Sequence, residues 1–339
     1  MPQVDDEPEV PAGLRWCSDE MDGIRRKRAG RGFCYVKPDG TRVSDKKVLA
    51  RIRALAIPPA WTDVWICPRA NGHIQATGRD AKGRKQYRYH PDWTAAQSEN
   101  KFARMPAFAA RLPKLEAAIE AGLARRRFDQ EKVVATAMRL MELSLIRVGN
   151  ARYSRENRSY GLTTLRKRHI EVSGTELRVR FRGKSGILHD LSLQDRRLAT
   201  GVRRLSELPG HTLFQYTDAE GEVRPVTSDD INAFIREHMG EEFSAKDFRT
   251  WAATVCVARA LCDTEPPTSP TDARRKANAC IREAATLLGN TLAVCRSAYV
   301  HPRVVELFEQ GEMAETLPRA SAKSFEKALA KMLKATPSG

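Results

Sequence analysis

The sequence predicts an α+β protein in which a small N-terminal domain of short strands precedes a larger, mainly helical domain with a small three-stranded sheet. Glycines, aromatic residues and short alternating stretches are frequent over residues 13–92. Over most of 93–339, apolar residues recur at three- and four-residue spacing, and one alternating segment interrupts this helical pattern near 170–193. Residues 1–12 are acidic and contain proline, so we expect a disordered tail there.

Short apolar and alternating runs in the N-terminal domain are bordered by Gly and Pro, which favour turns between strands. The predicted elements are strands over Phe33–Val36, Val64–Cys67 and Ile74–Thr77 and a helix over Lys46–Leu55. The pair Pro58-Pro59 is expected to keep this helix from continuing, because proline lacks the backbone N–H that a helix interior needs.

Helical periods account for most of the larger domain. The predicted helices cover 108–122, 130–147, 228–239, 245–262, 271–288, 291–300, 303–310 and 322–334. Pro113 is expected to kink or restart the first of them. Ser244 followed three residues later by Asp247 resembles a capping box that begins one helix, and Gly289 is expected to end another.

The three-stranded sheet is predicted from a strict alternation of apolar and basic residues. Leu177, Val179 and Phe181 alternate with arginines at 178, 180 and 182, which is typical of a strand with one buried face. The segment Gly183-Lys184-Ser185-Gly186 is the expected turn, because its glycines permit backbone angles that other residues avoid.

The charge balance favours a polyanionic partner. Lysine and arginine number 58 against 42 aspartates and glutamates, a formal net charge of +16, and the basic residues are spread over most of the chain. Neutralising phosphates releases condensed counterions, so this balance is typical of proteins that bind nucleic acid. A membrane surface or an acidic protein partner remains an alternative on charge alone.

Cysteine usage and the N-terminus indicate a cytoplasmic protein. The seven cysteines are odd in number and form no C-x-x-C pair, which argues against a disulfide framework or a zinc site. The acidic N-terminus differs from a signal peptide, and no apolar run approaches the roughly 20 residues of a membrane span. The sequence contains no Walker loop and no acidic cluster spaced for magnesium, so we expect no metal and no nucleotide cofactor.

Five polar residues are weak candidates for catalysis when each is considered singly. Arg147, predicted at a helix end, could simply complement the helix dipole, and Lys184 could be a solvated hairpin lysine. Arg249 could form a surface ion pair, Asn290 could cap a helix, and Tyr299 could be a packing residue.

Considered together and in order, these residues fall in blocks that resemble the catalytic domain of the poxviral and bacterial type IB DNA topoisomerases. The blocks are Ile146-Arg147-Val148-Gly149-Asn150, Tyr153, Glu156-Asn157, Tyr160–Leu165, His169-Ile170, Phe181–Lys184, Lys246–Thr250, Leu288–Thr291 and Arg296–Tyr299. In the N-terminal domain, Ile57–Trp61 and Gly78–Tyr87 look like the bacterial members. The resemblance covers roughly residues 20 to 310 and implies the fold that these enzymes share with tyrosine recombinases.

The resemblance implies a role for each residue in cutting one DNA strand. Tyr299 matches the nucleophile, Lys184 the general acid for the departing 5′ oxygen, and Arg147 and Arg249 the pair that stabilises charge on the phosphate. A planar, permanently charged guanidinium suits that last task. Lys246 is a weaker match, either a helper in proton transfer or a phosphate contact.

One position departs from the poxviral pattern, because Asn290 stands where that family carries a histidine. An amide N–H can donate to a non-bridging phosphate oxygen, but it cannot be protonated. The departure therefore leaves hydrogen bonding as the expected contribution of Asn290.

The partner implied by the resemblance is double-stranded DNA, bound by a monomer whose two domains act as a clamp. In the N-terminal domain, glutamine can pair with adenine edges and arginine with guanine or phosphate. The candidate contacts are Arg84, Lys85, Gln86, Tyr87, Arg88 and Tyr89, together with Tyr153 in the larger domain. The alternative for the first six is an ordinary strand with a polar face.

Two other functions remain open from the sequence. A tyrosine recombinase shares the arginine, lysine and tyrosine chemistry, but it usually carries His-x-x-Arg where this chain has Lys246-Asp247-Phe248-Arg249, and its N-terminal domain is helical. A non-catalytic DNA-binding or packaging protein could use the same basic surface.

Overall fold

The computed structural model describes residues 10–151, 154–155, 158–317 and 321–335. The chain divides into two compact units, Met1–Phe102 and Ala103–Gly339, which we call the N-terminal unit and the C-terminal unit. Most of the predicted disordered tail, and the candidate DNA contact Tyr153, lie outside the described residues. None of the described helices is long and apolar enough to cross a membrane.

The N-terminal unit is built on one antiparallel sheet of five strands in the order β2-β1-β3-β4-β5. Its elements are β1 (Ile24–Ala29), β2 (Gly32–Val36), α1 (Lys46–Ala54), β3 (Thr62–Ile66), β4 (Ile74–Arg79), β5 (Lys85–Tyr89) and α2 (Pro91–Ala103). The core combines one face of the sheet with Ile52 of α1. The three predicted strands and the first helix are confirmed.

Two elements of the N-terminal unit were not predicted. The strand β1 has the sequence IRRKRA, in which only Ile24 is buried, so it carries no alternating apolar signal. Its pairing with a neighbour on each side, β2 and β3, defines it as a strand. The segment 91–100, predicted as the junction between domains, is helical as part of α2.

The C-terminal unit is mainly helical and contains two small antiparallel sheets among its described residues. Its helices are α3 (Met105–Ala124), α4 (Gln130–Ser144), α5 (Arg196–Glu207), α6 (Ser228–Met239), α7 (Ala245–Cys262), α8 (Pro270–Leu288), α9 (Leu292–Ala298), α10 (Pro302–Glu309), α11 (Met313–Thr316) and α12 (Ala322–Lys334). Its strands are β6 (Ile170–Ser173), β7 (Glu176–Arg182), β8 (Leu188–Gln194), β9 (Gln215–Thr217) and β10 (Val223–Pro225).

Each predicted helix of the larger domain is confirmed, with two corrections. Pro113 does not restart the first helix, because α3 continues through it. Pro113 lies on the exposed side of α3, so water can reach the carbonyl that its missing N–H leaves free. The second helix was predicted to reach Arg147, but α4 ends at Ser144, where Leu145 adopts a left-handed conformation with φ of 53°.

The three-stranded sheet has the order β6-β7-β8, and its central strand follows the predicted alternation. Leu177, Val179 and Phe181 are buried while the arginines between them are exposed. Helix α5, which follows this sheet, and the short β9–β10 hairpin were not predicted. The helical core includes Phe108, whose ring packs edge-on against those of Phe243 and Phe248.

Candidate active site

Arg147 lies on an irregular segment that follows α4, just after the left-handed residue Leu145 turns the chain. Leu145 ends the helix, and the backbone carbonyl of Arg147 then accepts a hydrogen bond from the N–H of Leu162 at 2.9 Å. The next carbonyl, that of Val148, accepts from the N–H of Thr163 at 2.9 Å and from its hydroxyl at 3.0 Å. These bonds fix the backbone of Arg147 against the segment around Leu162 and Thr163.

Two glycines allow this close approach. Gly149 has a φ of +90°, and a Cβ at Gly161 would lie 2.6 Å from the Cα of Gly149. A side chain at position 161 would therefore separate the two segments. Gly149 and Gly161 therefore let the two backbone segments pass close to each other. This close approach fixes the position from which the Arg147 side chain extends.

Arg249 is held in the first turns of α7, whose start is fixed by the predicted capping box. The carboxylate of Asp247 accepts from the N–H of Ser244 at 2.9 Å and from its hydroxyl at 3.0 Å. The same carboxylate pairs with Arg104 at 2.9 Å. Arg249 is buried, whereas Lys246, one turn earlier, is exposed.

The guanidinium of Arg249 joins the ends of two helices. One terminal nitrogen donates to the carbonyl of Leu145, after α4, and the other donates at 2.6 Å to the carbonyl of Leu288, the last residue of α8. Its Nε is buried and has no hydrogen-bond partner among the residues that the structure describes. The guanidinium carbon lies 5.5 Å from the centre of the Tyr299 ring. Arg249 therefore contacts Tyr299 while it braces the backbone on both sides.

The electrostatics of Arg249 show that two cations share this site. Burial of the guanidinium lowers the pKa of Arg249, and the nearby positive charge of Arg147 lowers it further. The Tyr299 hydroxyl acts in the opposite direction. An arginine remains charged despite such shifts, so the site holds two positive charges beside a tyrosine.

Asn290 follows the predicted helix end. Gly289 ends α8 in the left-handed conformation, with φ of 59°, and turns the chain so that the side chain of Asn290 meets Arg147. The amide oxygen of Asn290 accepts a hydrogen bond from Arg147 at 2.7 Å. Its Nδ2 is buried, and within the described part of the chain it has no hydrogen-bond partner. Asn290 thus orients Arg147 and keeps one N–H donor unused.

Tyr299 ends the short helix α9. Its backbone N–H donates to the carbonyl of Cys295 at 2.9 Å, and its own carbonyl accepts from the hydroxyl of Thr254 at 3.2 Å. Thr254 is fully buried on α7, five positions after Arg249. The contact between α7 and the backbone of Tyr299 therefore fixes the tyrosine relative to Arg249, while its side chain stays partly exposed.

Lys184 lies on the turn between β7 and β8, as predicted, and its side chain is exposed. The turn is closed by a 2.7 Å hydrogen bond from the N–H of Gly183 to the carbonyl of Ile187, with Ser185 at a φ of 62°. The structure brings Arg147, Arg249, Asn290 and Tyr299 together. Among the described residues, neither the Lys184 nor the Lys246 ammonium bonds to any of these four.

One residue beside this cluster escaped the sequence analysis. His189 is paired with Phe181 across the hairpin, and it is close enough to Arg147 and Arg249 for their charges to lower its pKa. The alternation of β8 could have indicated that position 189 faces the same side of the sheet as the buried residues of β7. No spacing within the sequence relates it to the arginines.

The candidate DNA contacts of the N-terminal unit lie on the edge strand β5 and on the turn before it, and they divide between two faces. Lys85, Tyr87 and Tyr89 share one face, where the two tyrosine rings stack at 5.8 Å and both are exposed. On the other face, Gln86 donates to Asp80 at 3.1 Å.

All three basic candidates of this unit are engaged with the protein itself. Arg84 pairs with Asp80 at 2.6 Å, and Arg88 donates to the carbonyl of Ala56 at 3.1 Å. Lys85 also pairs with Asp19, at 2.8 Å. The tyrosine pair is thus the most accessible part of this strand.

Comparison with known proteins identifies the family. The family profile described as "Eukaryotic DNA topoisomerase I, catalytic core" matches residues 87–324. The profile of the "Bacterial DNA topoisomerase IB, N-terminal domain" matches residues 32–80. The DNA topoisomerase 1B of Acanthamoeba polyphaga mimivirus is 35% identical over 297 residues, which cover 85% of this chain and 88% of that protein.

More distant relatives agree with these matches. The DNA topoisomerase I of monkeypox virus and the DNA topoisomerase 1B of vaccinia virus (strain Copenhagen) are each 22% identical over 285 residues, covering 81% of this chain and 86% of theirs. Since one profile spans most of the C-terminal unit and the mimivirus relative aligns along both units, the chain belongs to the type IB DNA topoisomerases, enzymes that bind DNA and relax it without ATP.

Proposed function

We propose that this chain relaxes DNA by cutting one strand through a 3′-phosphotyrosyl intermediate on Tyr299 and then resealing it without ATP or metal. The observation that carries the proposal is the convergence of Arg147, Arg249, Asn290 and Tyr299 from four separate segments of the chain. Two like charges held together beside a tyrosine are unfavourable unless an anion is to be bound between them. A phosphodiester is such an anion.

In the cleavage step, the Tyr299 oxygen forms a bond to phosphorus while the bond from phosphorus to the 5′ oxygen breaks. The phenol gives up its proton, and the departing 5′ oxygen takes one up. Arg147 and Arg249 stabilise the extra charge on the non-bridging oxygens, a contribution that is worth most where water is excluded. The burial of Arg249 and the unpaired Nε of its guanidinium support this role.

Lys184 is the proposed donor of the proton to the 5′ oxygen. An alkoxide is a poor leaving group, and general acid catalysis typically contributes about 10²–10⁴-fold. An exposed lysine on a glycine-bordered turn can reach a bound duplex without moving the rest of the site. Lys246, exposed at the start of α7, is the second candidate, as a proton relay or a phosphate contact.

Strand rotation and resealing follow from the same chemistry. The phosphotyrosyl bond retains the free energy of the broken phosphodiester, so the free 5′ hydroxyl can rotate about the intact strand and then attack phosphorus again. Tyr299 leaves as the phenol in that reverse step. All the residues named come from one chain, so a monomer suffices, and we propose that state. The cytoplasmic location expected from the cysteines stays a prediction.

The exposed face of β5 formed by Lys85, Tyr87 and Tyr89 is the proposed DNA contact of the N-terminal unit. The stacked, solvent-facing tyrosines provide flat apolar surface there, and Lys85 would exchange its ion pair with Asp19 for one with a phosphate. Arg84, Gln86 and Arg88 are engaged with neighbouring protein groups, so for them a role in holding the strand is favoured over base recognition.

The test is plasmid relaxation in EDTA without ATP, with Tyr299→Phe as the matched variant. We expect the wild type to relax supercoiled plasmid and to form a covalent protein–DNA adduct on denaturing gels. Tyr299→Phe should do neither, yet bind DNA as the wild type does, because only the hydroxyl is removed. Relaxation by Tyr299→Phe would assign the nucleophile to another residue, and persistent supercoils with the wild type would refute the proposal.

A further inference from the structure

The imidazole of His189 occupies the space between the Lys184 hairpin and the α8–α9 turn. It is half-buried on β8 and stacks on the ring of Phe181, with ring centres 4.7 Å apart and planes 7° from parallel. Phe181 is itself buried in the sheet, so one face of the imidazole is fixed by the core. The free edge of the ring points away from that contact.

The imidazole faces the two glycines that immediately precede two proposed site residues. A methyl group at Gly183 would lie 2.6 Å from Nε2 of His189, and a methyl group at Gly289 would lie 3.4 Å from its Cε1. Gly183 precedes Lys184, and Gly289 precedes Asn290. The ring therefore lies between the base of the hairpin and the turn that carries the amide bound to Arg147, with no room to spare at Gly183.

The surroundings of His189 favour an uncharged ring. Burial lowers the pKa of His189, and the positive charges of Arg147 and Arg249 lower it further. A protonated imidazole would add a third cation to the two that the phosphate is to neutralise. A neutral ring fills the same space without that repulsion.

We propose that His189 is a positioning residue that sets the Lys184 hairpin at its working distance from the Gly289–Asn290 turn. This inference rests on the proposed role of Lys184 as general acid. The side chain of Lys184 is exposed, and the residue lies on a turn next to the left-handed Ser185. Its own contacts therefore do little to fix the position of its ammonium group. The residue before Lys184, Gly183 at the base of the hairpin, packs closely against His189.

The expected effect of losing the imidazole follows from this geometry. His189→Ala leaves a gap between Gly183 and Gly289, which the hairpin can enter, so the Lys184 ammonium moves relative to the 5′ oxygen. A misplacement of about 1 Å in a reacting group can cost about 10²-fold in rate. Tyr299 and Arg249 are held by α7, α8 and α9, and the segment of Arg147 is held by backbone hydrogen bonds to Leu162 and Thr163, so these three residues should keep their positions.

The experiment measures single-turnover cleavage on two DNA substrates, one with an ordinary 5′ oxygen and one with a 5′-bridging sulfur at the cut site. A thiolate leaves without a proton, so the sulfur substrate removes the need for the general acid. We expect His189→Ala to be slowed by about 10²-fold on ordinary DNA and to approach the wild-type rate on the sulfur substrate. His238→Ala, which also removes an imidazole packed on a phenylalanine in the C-terminal unit, should leave both rates unchanged.

Lys184→Ala on the same substrates separates the two hypotheses. If sulfur rescues Lys184→Ala but not His189→Ala, the general acid stands and the positioning role of His189 is wrong. If sulfur fails to rescue Lys184→Ala, the proposed acid itself is wrong. A His189→Ala enzyme as fast as the wild type on ordinary DNA would also overturn the inference.

A second variant avoids removing a partly buried side chain. Gly183→Ala places a methyl group against Nε2 of His189, at a position whose φ of −91° any residue can adopt. We expect it to slow cleavage of ordinary DNA and to be rescued by the bridging sulfur. The double variant Gly183→Ala with His189→Ala should be no slower than His189→Ala alone, because the imidazole is then absent. Multiplied defects would show that the two positions act independently.

Discussion

The side-chain amide of Asn290 combines two functions that one isosteric substitution can separate. Its oxygen accepts a hydrogen bond from Arg147 at 2.7 Å, while its Nδ2 is buried without a partner. Asn290→Asp keeps the shape and the acceptor, removes the donor and adds a negative charge. If Nδ2 is reserved for a non-bridging phosphate oxygen, this substitution should harm catalysis without harming the fold.

The two effects can be estimated separately. In the free enzyme, an unpaired buried donor costs about 1–3 kcal/mol, so its removal, together with a carboxylate beside Arg147, should leave Asn290→Asp at least as heat-stable as the wild type. In the DNA complex, a hydrogen bond to a charged oxygen is worth about 1.5–3 kcal/mol. That free energy corresponds to about 10- to 150-fold in rate. Repulsion between the new carboxylate and the phosphate adds to the loss.

The assay is single-turnover cleavage of a DNA strand that releases a short fragment, paired with thermal unfolding of each variant. We expect Asn290→Asp to cleave at least about a hundredfold more slowly with no fall in Tm. Asn290→Ala should be slowed by about 10- to 150-fold, less than either arginine variant, and Asn290→His should be tolerated because an imidazole N–H can replace the amide. Wild-type rates in Asn290→Asp would refute the reasoning and reduce Asn290 to a brace for Arg147.

Three further predictions concern the two arginines, the salt dependence of DNA binding and the tyrosines of β5. Arg147→Ala and Arg249→Ala should each slow cleavage by about 10²–10³-fold. Only Arg249→Ala should also lower Tm markedly, because the two carbonyls that Arg249 binds each lose a donor at a cost of about 1–3 kcal/mol. Equal Tm values for both variants would contradict a stabilising role for the hydrogen bonds to Leu145 and Leu288. DNA affinity, measured by fluorescence anisotropy, should fall by orders of magnitude over a few-fold increase in salt, because phosphate contacts dominate; a flat salt dependence would rule out such contacts. Joint replacement of Tyr87 and Tyr89 by alanine should weaken DNA binding while the rate of cleavage at saturating enzyme stays the same, and unchanged affinity would mean that β5 does not touch DNA.

Local signals in the sequence predicted much of the framework. The alternation around Val179, the capping box at Ser244 and the helix end at Gly289 each depend on neighbours within a few residues, and each is confirmed. The end of α4 was misplaced because the residue that turns the chain is Leu145, whereas left-handed helix ends usually carry glycine or asparagine. The nearest glycine after the helix is Gly149, so the predicted helix was extended to residue 147, three residues beyond its actual end.

The interactions inside the candidate site could not be predicted in the same way. Arg249 binds carbonyls 104 and 39 positions away in the sequence, and backbone carbonyls carry no residue identity. His189 acquires its neighbours from the register of β7 and β8 and from the fold of α8. Family resemblance supplied the residue types, and the resulting roles stay predictions until they are tested.

The unpaired donors of Arg249 and Asn290 have a consequence for the choice of buffer. Two mutually repelling cations, together with buried donors that have no acceptor among the described residues, should attract small tetrahedral oxyanions. We expect sulfate and inorganic phosphate to bind there in the folded protein and not in the unfolded chain, and therefore to raise thermal stability by mass action. The same ions compete with the scissile phosphate. A buffer chosen because it protects the enzyme from heat is therefore one in which the enzyme works more slowly.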